Sequence, residues 1–397
     1  MIMNILFHCS EYPIVSRNGG IGTVTKIVAE ELACRGHRVY VAGYYPSQKE
    51  RVRVEGINGV DVYSFNLGLR KGSFKSQAVR FLNAIHLAGP IIKRELRWYE
   101  NKLQEIIELK NVQILELTDF WGMNGFRCHL NHRRFNVPTI LRVHGCMSFI
   151  NSLSGEKSTY AFWNDKNHFK RTDYLSSVSY YSQQYIEKTF RLSNFKGRVV
   201  LYNPIETIFL KRNEPSNNKR ILFIGKIIKT KGAFEVVKAF NIIAQEYPDW
   251  ELRMVGKGDI ERAKSLVSMN HQDKVHFLGF CDRKKIMEEI DGCSFACIPT
   301  LFENFSMVPL EIMGRSRTVI FTNRTSGNEI ISNGDDGYTV NPEDLNEICD
   351  KIRLLIENAK LRNVFAQKSF EKVSKQFTVD IVVDQIEAFY SNCINDY

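Results

Sequence analysis

Two carboxylates stand eight positions apart in the segment Glu303-Asn304-Phe305-Ser306-Met307-Val308-Pro309-Leu310-Glu311. The segment follows an apolar run from Ser294 to Pro299 that reads as a buried strand, and it opens a helical run through Met313. The carboxylates therefore bracket a turn and the first turns of a helix. An ionised carboxylate only accepts hydrogen bonds, so it suits hydroxyl groups. The backbone amides of the turn and of the helix start suit a phosphate or another electron-rich oxygen. Amides for phosphate beside carboxylates for hydroxyls is the chemistry that a nucleotide-sugar site demands.

Three further loops carry compatible chemistry. Asn18-Gly19-Gly20-Ile21-Gly22 precedes the first helix, and its glycines let backbone approach a ligand closely. Its spacing is not the G-x-G-x-x-G of dinucleotide-binding folds, which argues against NAD. Gly225 to Gly232 holds Lys226 and Lys231, two mobile point charges that can converge on a diphosphate. It lacks the Walker sequence. Gly256-Lys257-Gly258-Asp259 clears space near a base or ribose, and Ser326 to Glu329 opens a short helix. No Asp-x-Asp metal motif is present.

The elements that must position these loops follow from periodicity. Asn4–Cys9, Arg38–Gly43, Val112–Leu117, Thr139–Val143 and Tyr174–Val178 read as strands, and Thr23 to Arg35 as a helix ended by Gly36. A polar linker, Lys211 to Arg220, separates this half from a second alternation with strands at Ile221–Gly225, Glu251–Gly256, Val275–Leu278 and Thr318–Phe321. Helical patterns close the chain at Pro342–Asn358 and Thr378–Ser391. Strands alternating with helices argue for parallel α/β sheets, and 397 residues argue for two of them. Ligands in such folds bind beyond the carboxyl ends of the strands.

Composition narrows the function classes. Nine scattered cysteines without a C-x-x-C pair fit reduced thiols in a cytoplasmic protein. No apolar run approaches the roughly 20 residues of a membrane span, and the N-terminus reads as a strand and not as a signal peptide. Residues 1–206 hold 28 Lys and Arg against 17 Asp and Glu, whereas residues 207–397 hold 26 against 27. The whole excess of +10 thus sits in the first half, which suggests an anionic partner there. Between Gly72 and Leu109 the chain reads as helical and unusually basic. Arg70, Lys71, Lys75, Arg80, Lys93, Arg94 and Arg97 alternate with Phe74, Val79, Phe81, Leu82, Ile91, Ile92 and Trp98, as in a segment that lies on an anionic bilayer.

In order and spacing these loops resemble the GT-B glycosyltransferases, and within them the large retaining family numbered four (glycosyl transferases group 1). The resemblance covers nearly the whole chain. It rests on the glycine loop near the N-terminus, His144 in Val143-His144-Gly145, the hinge-like Tyr202-Asn203-Pro204-Ile205-Glu206, the basic pair Lys226 and Lys231, and the Glu303–Glu311 segment. It implies two facing Rossmann-like, doubly wound α/β domains with a deep interdomain cleft. The expected division is an acceptor-binding domain at 1–203, a donor-binding domain at 204–376, and a C-terminal helix at 377–397 packing back on the first domain.

The resemblance also supplies roles. Lys226 and Lys231 would neutralise the donor diphosphate, Glu303 would hold donor-sugar hydroxyls, and Glu311 would hold the ribose. Asn304 belongs to the donor loop, and the amides of Phe305, Ser306, Met307 and Val308 would line the sugar and phosphate site. Gly256 would border the base or ribose. Gly19, Gly20 and Gly22 would close over the diphosphate, and His144 would reach the donor sugar. Three departures bear on donor identity. Lysine stands at 226 where the family has arginine, Glu303-Asn304-Phe305-Ser306 replaces Glu-Gly-Phe-Gly, and Gly314 to Thr318 departs from Ala-x-Gly-x-Pro.

The implied reaction breaks a bond between an anomeric carbon and phosphate, with retention of configuration. Electrostatic stabilisation of the departing diphosphate is the main task, carried by lysines and amides without a metal. The expected co-substrate is a nucleotide-diphosphate sugar, a UDP-sugar first among them, with no cofactor. The acceptor would be a glycan or lipid-linked sugar in cell-surface polysaccharide synthesis, presented at the inner face of the cell membrane against Arg70, Lys71, Lys75, Lys93, Arg94 and Arg97. A nucleotide-sugar epimerase or hydrolase on the same fold is the alternative. A basic nucleic-acid-binding scaffold is a third, which no nucleic-acid motif supports.

Overall fold

A computed structural model describes residues 1–13, 19–45, 48–66, 77–78, 81, 89–119, 130, 135–153, 155–156, 158–192 and 195–397. The chain divides into two compact units. The first comprises residues 1–178, 182–202 and 382–397, and the second residues 179–181 and 203–381.

The first unit is built on an eight-stranded sheet. In chain order its elements are β1 (Asn4–His8), α1 (Gly20–Cys34), β2 (Arg38–Tyr44), β3 (Val52–Ile57), β4 (Val60–Phe65), α2 (Gly89–Leu109), β5 (Ile114–Thr118), β6 (Thr139–Val143), α3 (Met147–Leu153), α4 (Thr159–Phe169), β7 (Tyr174–Ser177), α5 (Tyr180–Phe190) and β8 (Gly197–Val200). The strand order is β3-β4-β2-β1-β5-β6-β7-β8, parallel except for the β3–β4 pair. Ile5, Leu6, Ile114, Leu115, Ile140, Leu141 and Leu175 are fully buried, as expected of central strands covered on both faces. The sequence pattern did not indicate β3 and β4. They form a hairpin whose turn is Asn58-Gly59, both at positive φ.

The second unit holds β9 (Arg220–Ile224), α6 (Ala233–Glu246), β10 (Glu251–Val255), α7 (Ile260–Ser265), β11 (Val275–Gly279), α8 (Arg283–Gly292), β12 (Phe295–Ile298), α9 (Met307–Met313), β13 (Thr318–Thr322), α10 (Gly327–Ile330), β14 (Tyr338–Val340), α11 (Leu345–Glu357), α12 (Ala359–Gln376) and α13 (Val379–Asn395). Its six strands are all parallel, in the order β11-β10-β9-β12-β13-β14. The fold is thus the expected one of two Rossmann-like parallel α/β domains.

From Val382 onward, α13 belongs to the first unit. Its Tyr390 hydroxyl donates to Glu116 Oε2 on β5 at 2.5 Å, and Arg142 on β6 lies 3.9 Å from the other oxygen of Glu116. Tyr174 donates to Asp396 at 2.9 Å, and Glu387 takes His37 at 2.6 Å and Arg35 at 3.0 Å. Burial pushes the Glu116 carboxyl upward against the opposing pull of Arg142.

Candidate functional site

The second sheet reverses its direction of growth between β9 and β12, with β10 and β11 on one side and β13 and β14 on the other. At such a switch point the loops leaving the carboxyl ends of adjacent strands diverge and leave a crevice. The loops singled out from the sequence leave β9, β10, β12 and β13 at that edge.

Backbone contacts stitch these loops together. Ile227 N donates to Lys257 O at 2.9 Å, and Asp259 N to Ile227 O at 2.8 Å, tying the β9 loop to the β10 loop. A Cβ on Gly256 would fall 1.8 Å from Gly225 O, so only glycine permits this approach. Lys229–Lys231 forms one 3₁₀ turn, ended by Gly232 at φ +72°. A side chain at Gly232 would meet Pro299 O at 2.1 Å, so glycine lets the β9 loop settle on the end of β12. Leu301 N and the Thr300 hydroxyl both donate to Thr230 O at 3.0 Å and complete that seam.

The seam brings the Lys231 ammonium onto the Glu303 carboxylate as an ion pair between half-buried side chains. Glu303 is further fixed by its backbone. Its N–H donates to Thr325 Oγ1 at 3.2 Å, and its carbonyl accepts from the Ser326 hydroxyl at 3.3 Å. Thr325 adopts φ +53°, an uncommon conformation for a β-branched residue and the kind of local strain found where a loop is held in one shape. Beside Glu303, both polar atoms of the Asn304 side chain are buried and lack a hydrogen-bond partner among the described residues. A buried amide with neither end satisfied costs stability, and a bound polar molecule would relieve that cost.

Phe305 is 6% exposed and packs on Phe377 at 5.9 Å between ring centroids, so its side chain anchors the loop and only its backbone can serve a ligand. Ser306 precedes α9, and Met307 and Val308 begin it, with no intrahelical acceptor for their amides. Glu311 lies one turn on. Its carboxyl has no hydrogen-bond or ion-pair partner among the described residues. Burial pushes its pKa up to about 7, against a weaker opposing effect of Arg283, although the residue keeps part of its surface accessible. Lys226 is exposed and its ammonium is likewise unpaired among the described residues.

Gly19, Gly20, Gly22 and His144 belong to the first unit. Gly19 caps α1, and side chains at Gly19 and Gly22 would come within 1.9 Å of Glu11 Oε2 and 1.8 Å of Glu11 O. Gly20 faces open space. His144 follows β6, and burial together with nearby Arg142 holds its imidazole down to about 3, so it is neutral at physiological pH. Asp119, which ends β5, accepts the backbone N–H of both His144 and Gly145 at 2.9 Å. Burial nevertheless raises its carboxyl to about 7. Asp119 was not anticipated, and its only signal is a carboxylate directly after an apolar strand.

Lys93, Arg94 and Arg97 are exposed on α2, whose opposite face buries Tyr99, Leu103, Ile106 and Ile107. Arg94 and Arg51 share the buried Glu95, at 3.1 and 3.3 Å, and the Arg51 guanidinium covers the Trp98 ring at 4.0 Å. Arg70, Lys71, Lys75 and Arg80 lie outside the described residues. No helix among the described residues is long and apolar enough to cross a membrane.

Known proteins resemble this chain in sequence or in fold. An uncharacterized glycosyltransferase of Methanocaldococcus jannaschii is 28% identical over 261 residues, 65% of this chain and 69% of that one. The capsular polysaccharide biosynthesis glycosyltransferase CapM of Staphylococcus aureus is 26% identical over 190 residues, 46% of this chain and about half, 48%, of its own length. Among solved structures, a sucrose-phosphate synthase of Thermosynechococcus elongatus aligns over 100% of both chains with a TM-score of 0.79 and 15% identity. Anabaena HepE, solved in complex with UDP and glucose, aligns over 98% of this chain and 99% of its own with a TM-score of 0.67 and 16% identity. At these identities the structural likeness is one of fold. Residues 18–208 match the family described as Glycosyltransferase Family 4, and residues 204–372 match Glycosyl transferases group 1. The two matches overlap at residues 204–208, together span residues 18–372, and place the chain among the group 1 glycosyltransferases of GT-B fold.

Proposed function

We infer that this chain transfers a sugar from a nucleotide-diphosphate sugar, UDP-linked in the first instance, to a glycan or lipid-linked acceptor of a cell-surface polysaccharide. The observation that carries this reading is the group at the switch point of the second sheet: the Lys231–Glu303 pair, the unsatisfied Asn304 amide and the unpartnered Glu311. The bound UDP and glucose of HepE and the pathway of CapM support the donor and the product class.

The chemistry follows from those groups. As the anomeric bond breaks, negative charge grows on the leaving diphosphate. The Lys226 ammonium would meet that charge, and so would Lys231, which has three N–H donors and engages Glu303 with one of them. Glu303 would accept from sugar hydroxyls, and Asn304 would supply the donor and acceptor that the protein leaves unused. Glu311, when ionised, would accept from the ribose hydroxyls. The amides of Phe305 to Val308 and the backbone of Gly256 would complete the nucleotide's surroundings. From the first domain, Gly19, Gly20 and Gly22 would approach the diphosphate, and neutral His144 would hydrogen-bond the donor sugar. The reaction would retain anomeric configuration and need no metal, and the leaving phosphate would take the acceptor's proton. The exposed Lys93, Arg94 and Arg97 would hold the enzyme to an anionic membrane surface on the cytoplasmic side.

Incubation with a panel of nucleotide sugars, with and without a lipid-linked acceptor, tests the assignment. Acceptor-dependent formation of a glycoside supports it. Release of free sugar or its epimer, at a rate indifferent to acceptor, would replace it with a hydrolase or an epimerase.

A further inference from the structure

The opposite edge of the second sheet, where β12 and β13 begin, holds a cavity of about 310 Å³. Its inner wall includes Ser316, Arg317 and Arg362, which are 6%, 4% and 8% exposed. A guanidinium taken out of water is normally matched by a carboxylate. Neither of these is. Among the described residues Arg317 donates to carbonyls, Ser316 O at 2.8 Å and Asp291 O at 2.6 Å, and its Nε is buried without a partner. Arg362 donates to the Leu355 and Ile356 carbonyls at the end of α11, and its guanidinium lies over the Trp250 ring at 5.8 Å. The nearby Asp291 carboxylate is already consumed, by a two-point contact from Arg315 at 2.5 Å on each oxygen and by Asn213 at 2.7 Å. The Ser316 hydroxyl is buried and unpartnered as well, on a residue held at φ +54°. Burial works against the charge of both arginines, yet a guanidinium stays protonated.

Two buried guanidiniums that form no ion pair with a carboxylate among the described residues, and a hydroxyl without a hydrogen-bond partner among them, thus line one cavity. At the mouth, the exposed Arg212 and Glu214 carry opposite charges, and the exposed Asn363 and Gln367 offer amides. We propose that this cavity binds the phosphate group of a small phosphorylated molecule, at the opposite end of the strands from the donor site. A phosphate monoester is close to a dianion at neutral pH, which matches two guanidiniums, and its oxygens would accept from Arg317, Arg362 and Ser316 as these side chains turn toward it. The amides at the mouth suit hydroxyls on the remainder of such a molecule.

The test measures binding of inorganic phosphate and of a hexose phosphate to the full chain, by calorimetry and by the unfolding midpoint, against acetate and chloride at equal ionic strength. Both phosphates should bind and raise the midpoint where acetate and chloride do not. Asn363→Asp places a negative charge at the exposed mouth without touching the core, and should weaken phosphate roughly fivefold while leaving UDP affinity unchanged. Arg317→Met should abolish the response, and if that variant fails to fold, Asn363→Asp alone decides. No stabilisation beyond acetate, wild-type phosphate affinity in Asn363→Asp, or competitive displacement of the phosphate by UDP would each overturn the proposal.

Discussion

Lys231 and Glu303, 72 positions apart, form an ion pair that joins the loop after β9 to the loop after β12. The pair links the two strands at which the second sheet changes direction, so it sits where ligand-binding loops diverge. Replacing Glu303 with Gln keeps the shape and removes the charge. The pair is partly exposed and contributes little to folding, so the unfolding midpoint should barely change. Turnover should fall by roughly ten- to a thousandfold, as for lost transition-state contacts. A kcat like that of the unaltered enzyme, with a verified donor, would remove Glu303 from the reaction.

Lys226→Ala and Lys231→Ala should each weaken binding of a nucleoside diphosphate by about tenfold, the scale of one charge-assisted contact. Lys231→Ala should cost more in kcat than Lys226→Ala, because it also releases Glu303. Calorimetry with UDP separates binding from turnover, and unchanged affinity in both variants would show that the loop serves another ligand. Activity should persist in a strong chelator; loss that added divalent ion restores would show a metal requirement.

Glu311 gives the site a pH signature. In the unfolded chain its carboxyl titrates near the ordinary value of 4.5, and burial pushes it up to about 7 in the folded protein. The folded state therefore holds the extra proton between those values. The stability due to that proton is full below about 4.5 and is lost as pH rises to about 7. Glu311→Gln should remove this slope and unfold at a higher temperature than the unaltered protein at pH 8. Ribose hydroxyls need the ionised carboxylate, so UDP affinity should increase up to about tenfold from pH 6 to pH 8, in excess of any change seen with Glu311→Gln. Equal pH profiles for the two proteins would exclude Glu311 as a nucleotide contact.

The two carboxylate oxygens of Asp119 accept the backbone N–H groups of His144 and Gly145, one each. Asp119→Ala leaves both donors inside the protein without that partner, at a cost of about 1–3 kcal/mol for each unsatisfied group. The thermal midpoint should drop by several degrees, and transfer should fall further than stability alone accounts for, because His144 loses its positioning. Wild-type kcat in a folded Asp119→Ala protein would show that His144 does not need this support.

Lys93, Arg94 and Arg97 changed together to Gln test the membrane reading. Each basic residue near an anionic surface contributes about 1 kcal/mol, which salt screens. The unaltered protein should sediment with anionic liposomes at low salt, less at high salt, and hardly with neutral ones. The triple variant should lose that binding and keep its UDP affinity. Arg94 already shares Glu95 with Arg51, so its own share should be the smallest of the three. Equal sedimentation of variant and unaltered protein would reduce this face to a solvated one.

Much of the architecture was legible because buried parallel strands are short apolar runs between glycines and polar turns. Asn4–Cys9 and Glu251–Gly256 differ from the observed β1 and β10 by one residue at the end. The β3–β4 hairpin went unread although Asn58-Gly59 is a strong turn signal, because β3 is an exposed edge strand whose Val52, Arg53 and Val54 show no buried alternation. Helix α12 (Ala359–Gln376) places Arg362 and Ser369 beside Phe365 and Val373 on its buried face and so lacks a clear apolar stripe. The loops that carry Lys226, Lys231, Glu303 and Glu311 were legible from their order along the chain, and the structure sets them at one end of the second sheet. Neither the ion pair between Lys231 and Glu303 nor the capture of two amides by Asp119 has a local spacing, since both are set by how distant strands align. The arginines of the second cavity were invisible for a related reason: sequence shows a charge but not whether a partner has already been used by Arg315.

The placement of residues 382–397 within the first unit has a consequence for synthesis on the ribosome. Domains ordinarily fold as units from the N-terminus while the rest of the chain is still being made. Here the first domain to emerge lacks Tyr390, the partner of Glu116, and Glu387, the partner of Arg35 and His37, until translation has passed through the whole second domain. The domain that starts first is therefore completed last, and Glu116 waits beside Arg142 without its tyrosine while the second sheet assembles.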